Sequence, residues 1–291
     1  MSGPAGGGGD PRREGTFRTT DGLLLFYRAW RPGKPRGVLA VVHGFGEHSG
    51  LYAGAATQFA ARGYAVYALD QRGHGRSPGA RGYVDSWDDY RRDLASFLDV
   101  VQGAESPCPV FLVGNSMGSA IVLDYALRHA AAIRGVVASG APLGQVGVPA
   151  WLMALGRLLS GVWPGFTVNA RLDLRNLSRD LEAANAIVED PLFHQRGSAR
   201  LLTEFEAVKA EVARRAAEFR LPLLMLHGSE DRIASPQGSR AFFESVTFVD
   251  KERKEYPGAC HNLFHETNRQ EMLGDVERWL DRRVVEPEPP G

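Results

Sequence analysis

The chain has 291 residues, 44% of them apolar, which is ample for a large buried core and typical of a globular enzyme. Its 34 basic and 34 acidic residues cancel, so no net charge recommends a nucleic-acid partner. Two cysteines, Cys108 and Cys260, argue against a disulfide framework and against a Cys-rich metal site.

Residues 1–15 open on a Gly-rich stretch without the basic start or apolar segment of a signal peptide, so a loosely attached tail and a cytoplasmic mature chain are expected. A hairpin is predicted over 16–30, then strands near 38–42, 65–69, 110–113, 135–139, 223–227 and 247–256. Helices fit 51–62, 87–102, 117–128, 235–244 and 268–283. Ser86 with Asp89 three residues on marks one helix start, and Ser235-Pro236 marks another. Such alternation predicts a mainly parallel sheet covered by helices. It stops after Ser139 and resumes at Leu223, leaving a loosely helical insertion over about 142–219, a cap between core segments 16–141 and 220–285. Residues 286–291 are a Pro-rich end.

Within the insertion, 146–168 is strongly apolar with Arg157 as its one charge. Its length would permit a membrane span, but Pro149, Gly156, Gly161, Pro164 and Gly165 interrupt it, so an apolar cap helix and loop is the reading. The stretch 204–219 is amphipathic, with Phe205, Val208, Val212 and Phe219 on one face.

The chemistry is signalled by Gly114-Asn115-Ser116-Met117-Gly118, a G-x-S-x-G motif between the run Val110-Phe111-Leu112-Val113 and a predicted helix. A serine at such a strand-to-helix turn is presented for nucleophilic attack, provided that a histidine base and an orienting carboxylate follow. Asp231 follows the strand that ends at His227, and His261 lies on the loop after Tyr256; both fall at the carboxyl ends of strands. Glu230 is the alternative acid and His265 the alternative base. For the oxyanion of acyl transfer, the N–H of Met117 and the N–H of Phe45 in His43-Gly44-Phe45-Gly46 are the candidate donors. Asp70-Gln71-Arg72-Gly73-His74-Gly75-Arg76-Ser77 reads as a structural turn in which Asp70 and Ser77 bond the backbone.

Over about residues 16–283 the chain resembles the α/β-hydrolase superfamily, and within it the monoglyceride lipase and lysophospholipase branch. The resemblance rests on Asp21-Gly22, on His43-Gly44-Phe45-Gly46-Glu47-His48-Ser49 with Tyr52, on the Asp70 to Ser77 block, on the serine motif, on Gly228-Ser229-Glu230-Asp231-Arg232 and on Gly258-Ala259-Cys260-His261. It implies an α/β-hydrolase fold with a mainly helical cap after the sixth strand. It also implies Ser116 as nucleophile, Asp231 as acid, His261 as base, and Phe45 with Met117 as oxyanion hole. Asn115 and Ser119 depart from the branch, which usually has histidine and glycine there; both bear on the substrate more than on the reaction.

The expected activity is that of a serine carboxylester hydrolase releasing a fatty acid from a single-chain lipid ester, monoacylglycerol first, through an acyl-enzyme and without metal or organic cofactor. Lysophospholipase, general esterase, thioesterase and acyltransferase activities are the alternatives in this class, and a non-catalytic hydrolase-fold binding protein the one outside it. Trp151, Leu152, Leu155, Leu158 and Leu159 are the candidate acyl-chain lining; the same surface also fits transient contact with lipid or plain packing on the core.

Overall fold

The computed structural model describes residues 12–144, 150–169 and 173–284. Strands β1 (Arg12–Arg18), β2 (Leu24–Trp30), β3 (Gly37–Val42), β4 (Tyr64–Leu69), β5 (Val110–Asn115) and β6 (Gly135–Ser139) precede the cap. The cap holds the short strands β7 (Thr167–Asn169) and β8 (Arg196–Ser198), and β9 (Leu223–Gly228) and β10 (Lys251–Tyr256) complete the core. Eight strands form one sheet in the order β1-β2-β4-β3-β5-β6-β9-β10, antiparallel at the β1-β2-β4 edge and parallel from β4 onward. A parallel sheet buried on both faces explains the near-continuous apolar runs: every residue of β3, β4 and β5 is buried.

Side chains alternate between two cores along each strand. Val38, Ala40, Val42 and Leu112 face the helices α2 (Trp87–Glu105) and α3 (Met117–Ala126), meeting Tyr90, Phe97 and Ile121. Leu39, Val41, Phe111 and Val113 face α1 (Ala53–Ala61) and α9 (Arg269–Val284), meeting Phe59 and Trp279. The Ser86 hydroxyl accepts from Asp88 N–H and Asp89 returns the capping box, so α2 starts where the sequence places it. In the cap, α4 (Ala150–Val162), α5 (Leu174–Leu177), α6 (Leu181–Glu189) and α7 (Ala199–Arg214) follow, and α7 packs on α4, α3 and α2. The helix α8 (Pro236–Ser245) lies between β9 and β10 in sequence.

Three features differ from the sequence reading. Residues 12–15, expected in the loose tail, pair with 27–30, and Glu14 is held by ion pairs to Arg28 and Arg76; the tail as expected lies otherwise in residues outside those described. The last strand begins at Lys251, since pairing with β9 starts there. The cap carries the small antiparallel sheet of β7 and β8 besides its helices. Among the described residues no helix is long and apolar enough to cross a membrane, and α4 has only 13 residues.

Candidate active site

The carboxyl ends of β3, β5, β9 and β10 bring four loops together. Ser116, directly after β5, sits at φ 53° and ψ −120°, the one positive φ outside glycine among the described residues. Such a backbone costs about 1–3 kcal/mol and is held by its surroundings. The flanking glycines make it possible. A Cβ on Gly118 would lie 2.0 Å from the Val42 carbonyl oxygen, and one on Gly114 would lie 2.6 Å from the Gly118 carbonyl oxygen. The strand-to-helix turn can therefore close only with glycine at both places.

His261 Nε2 lies 2.8 Å from Ser116 Oγ, and its Nδ1 lies 2.7 Å from Asp231 Oδ2. Since the carboxylate can only accept, Nδ1 carries the proton and Nε2 is free to accept from the serine. Asp231 is buried, and Ile233 N–H and Ala234 N–H donate to its Oδ1. Burial alone would raise its carboxyl; the charge of His261 and the hydrogen bonds from His227 and His261 outweigh that and hold it below the usual carboxylate range. Glu230 is exposed. His265 spends its ring nitrogens on Asn262 Oδ1 and the Leu51 carbonyl, and burial lowers its pKa.

Gly44 runs against the nucleophile: a Cβ there would stand 3.2 Å from Ser116 Cβ. Phe45 follows Gly44 in this loop, and Met117 opens α3, where the first N–H groups have no intrahelical acceptor.

The sequence reading gave no part to Glu47, although it lies in a quoted motif. It is 6% exposed, and its Oε2 accepts from Gly44 N–H at 2.9 Å and Tyr52 Oη at 2.5 Å. Its Oε1 accepts from Asn262 Nδ2 at 2.8 Å, and Asn115 Nδ2 reaches both oxygens at 3.3 and 3.4 Å. One carboxylate therefore ties the Phe45 loop to the residue before Ser116 and the residue after His261. Asn115 is one of the two departures from the family pattern; the other, Ser119, donates within the turn to the Gly114 or Ser139 carbonyl.

The cap is stitched to these loops. His261 N–H donates to the Asn176 carbonyl and Asn262 N–H to the Leu177 carbonyl, both of α5. His194 N–H donates to the Gly46 carbonyl, and the imidazoles of His43, His74 and His194 lie against one another in tilted contacts with centroids 5.2 and 4.6 Å apart. Burial lowers all three, His194 to about 4. Asp70 accepts from Ser49 and Arg76 N–H, and Ser77 Oγ donates to the Asp70 carbonyl, the structural turn expected.

Of the candidate acyl-chain residues, Leu158 is 63% exposed and Leu159 half-buried. The side chains of Trp151, Leu152 and Leu155 lie outside those described, although their backbone belongs to α4.

The serine aminopeptidase, S33, family matches residues 33–268. A monoacylglycerol lipase of Mycolicibacterium smegmatis is 34% identical over 275 residues, covering 92% of this chain and 97% of that protein. The crystal structure of the Paleococcus ferrophilus monoacylglycerol lipase superposes with a TM-score of 0.82 at 32% identity, over 89% of this chain and 99% of the other. A soluble variant of the Saccharomyces cerevisiae monoglyceride lipase in complex with a substrate analogue gives 0.83 at 27% identity, over 93% and 95%. The chain therefore belongs to the serine aminopeptidase, S33, family of α/β-hydrolases, among its monoglyceride lipase relatives.

Proposed function

We propose that the protein hydrolyses monoacylglycerols through an acyl-enzyme on Ser116. The observation that carries the reading is the unbroken hydrogen-bonded line from Ser116 Oγ through His261 to Asp231. Ser116 Oγ attacks the ester carbonyl as His261 Nε2 takes its proton, and the oxyanion is held by the N–H groups of Phe45 and Met117. Collapse expels the alcohol, which takes the proton from His261. Water, deprotonated in turn by His261, then releases the fatty acid and restores Ser116. Asp231 orients the ring and stabilises its cation throughout.

The family is described by a peptidase activity, and a serine triad can cleave amides as well as esters. An aminopeptidase needs a carboxylate free to bind the substrate's ammonium group. Glu47, the buried carboxylate beneath Gly44, is occupied by protein donors. That, and the lipases among the relatives, supports an ester. In the cap, Leu158, Val162 and Trp163 are 63%, 79% and 62% exposed, which supports a transient contact of α4 with lipid aggregates. Trp151, Leu152, Leu155 and Leu159 are assigned to the acyl route within the same proposal. A cytoplasmic location belongs to it too and is supported by the unpaired thiols of Cys108 and Cys260.

The test is a panel of monoacylglycerols of rising chain length, di- and triacylglycerols, lysophosphatidylcholine, p-nitrophenyl acetate and an aminoacyl anilide. Monoacylglycerols should give the highest kcat/KM, rising with chain length until the site fills. Preference for the anilide or for lysophosphatidylcholine would overturn the assignment.

A further inference from the structure

Asp231 serves two histidines, and the mechanism uses only one of them. His227, at the end of β9, is 1% exposed. Its Nε2 lies 2.8 Å from the Ala234 carbonyl oxygen and 3.1 Å from Asp231 Oδ2, the oxygen that also receives His261 Nδ1. Both neighbours are acceptors, so Nε2 carries a proton and donates to them. On the other edge of the ring, Nδ1 lies 2.8 Å from Ser239 Oγ of α8. With the proton on Nε2, Nδ1 of the neutral ring can only accept, and the Ser239 hydroxyl, which also lies 3.0 Å from the Pro236 carbonyl oxygen, supports that tautomer when it donates to the ring.

The groups around this ring leave the contact little freedom. From the loop after β9 it faces Asp231 and the Ala234 carbonyl, and from α8 the Ser239 hydroxyl. Its register partner on β10 is Glu255, whose carboxylate is engaged by Arg240 and Arg253. His261 stands across Asp231. The first oxygen of Asp231 is filled by two backbone N–H groups, so the second is shared by the two imidazoles.

We propose that His227 is a positioning residue for the acid–base pair: its hydrogen bond to Asp231 Oδ2 holds the carboxylate in the plane of His261 and restrains how strongly that oxygen stabilises the His261 cation. This rests on the acyl-transfer reading, in which His261 is the base. A donor already on Oδ2 withdraws part of the electron density that the imidazolium would use. Removing it leaves a more strongly accepting oxygen and a carboxylate free to turn. The base then becomes easier to protonate and worse placed.

The experiment compares wild type with His227→Leu, which loses the donor, and His227→Gln, whose amide can donate to Asp231 and accept from Ser239. The readouts are the pH profile of kcat/KM on p-nitrophenyl acetate, the kcat and KM values, fluorophosphonate labelling of Ser116 and thermal melting. For His227→Leu the acid limb should move up by about half to one pH unit. Its kcat should fall by about tenfold while KM holds. His227→Gln should return the limb to the wild-type position. Ser239→Ala, which frees the tautomer without touching the Asp231 contact, should move the limb the same way by less, and it supplies the answer if His227→Leu does not fold. An unmoved acid limb in folded His227→Leu, or in Ser239→Ala where that is the variant read, would overturn the proposal. So would a His227→Gln that behaves like His227→Leu. Wild-type protein that takes no label at Ser116 would instead remove the acyl-transfer reading itself, and this role with it.

Discussion

Replacing Glu47 by glutamine changes one oxygen into an amide, and the local hydrogen bonds set what that costs. Gly44 N–H, Tyr52 Oη, Asn115 Nδ2 and Asn262 Nδ2 all donate to the carboxylate, which as an acceptor-only group can take them together. Glutamine must turn its NH2 toward some of them. Toward the Oε2 side it meets Gly44 N–H, a backbone donor that cannot rotate away; toward the Oε1 side it meets the Asn262 amide. The second arrangement strands one buried donor and is the cheaper, at about 1–3 kcal/mol. Melting should then drop by roughly 2–5 °C. Because the Phe45 loop, Asn115 and Asn262 share this carboxylate, kcat/KM on p-nitrophenyl acetate should fall by about tenfold as well. Differential scanning calorimetry and a soluble-ester assay at the same pH suffice. Glu47→Leu, which strands every donor, should be worse on both counts. A Glu47→Gln protein with wild-type melting and wild-type kcat/KM would show that the carboxylate braces nothing and would refute the reasoning.

Ser116→Ala should abolish hydrolysis and fluorophosphonate labelling with folding intact, and His261→Ala and Asp231→Asn should each lose turnover by about 10³-fold or more. Labelling that persists in Ser116→Ala would move the nucleophile elsewhere. EDTA should leave hydrolysis unchanged, and restoration of a lost activity by zinc would contradict the metal-free mechanism. His194 titrates near 6.5 when unfolded and at about 4 when folded, so the unfolded chain takes its proton first. Stability should therefore decline as the pH falls from about 6.5 to about 4. His43 and His74, shifted in the same direction, add to that slope, and His194→Gln should flatten part of it in urea midpoints against pH.

The residues proposed to react each sit on a local signal: a motif with fixed spacing, or a loop just past an apolar strand. What separates Asp231 from Glu230 is burial, and what separates His261 from His265 is the partner each ring finds; neither is written in adjacent sequence. The brace was invisible for a similar reason. Glu47 and Asn262 are 215 positions apart, and nothing in either neighbourhood announces that a carboxylate and an amide will meet. The sharing of Asp231 by His227 and His261 is likewise a matter of sheet order, since β9 and β10 run side by side. The start of β1, Arg-Arg-Glu-Gly, lacks an apolar alternation, and its strand comes from the pairing with β2. Strands of three residues such as β7 and β8 are too short for any period to show.

The way the cap is attached decides how a substrate could enter. Its segment from α5 to β8 is bonded to the catalytic loops: the Asn176 and Leu177 carbonyls take the N–H groups of His261 and Asn262, His194 binds Gly46, and Arg179 pairs with Glu266, which also receives Cys260 N–H. Lifting that half would release the base. By contrast, α4 is joined through packing on α7 and a Ser160–Thr203 hydrogen bond, and Leu158 and Val162 on it, with Trp163 just beyond its end, are exposed. The bonds that hold the His261 and Gly46 loops come from α5 and His194, so movement of α4 would break none of them. Trp163→Glu should therefore raise KM for long-chain monoacylglycerol dispersed in micelles and leave kcat on p-nitrophenyl acetate unchanged. Leu177, 5% exposed on α5, gives the opposite test. Leu177→Ala leaves a cavity beneath the carbonyls that hold the base loop, so kcat should fall on both substrates together, with melting lowered by an amount in keeping with about 2–5 kcal/mol. Were Trp163→Glu to depress kcat on the short ester, or Leu177→Ala to change KM for the long ester alone, the gate would lie in α5 and the division of labour argued from these bonds would be reversed.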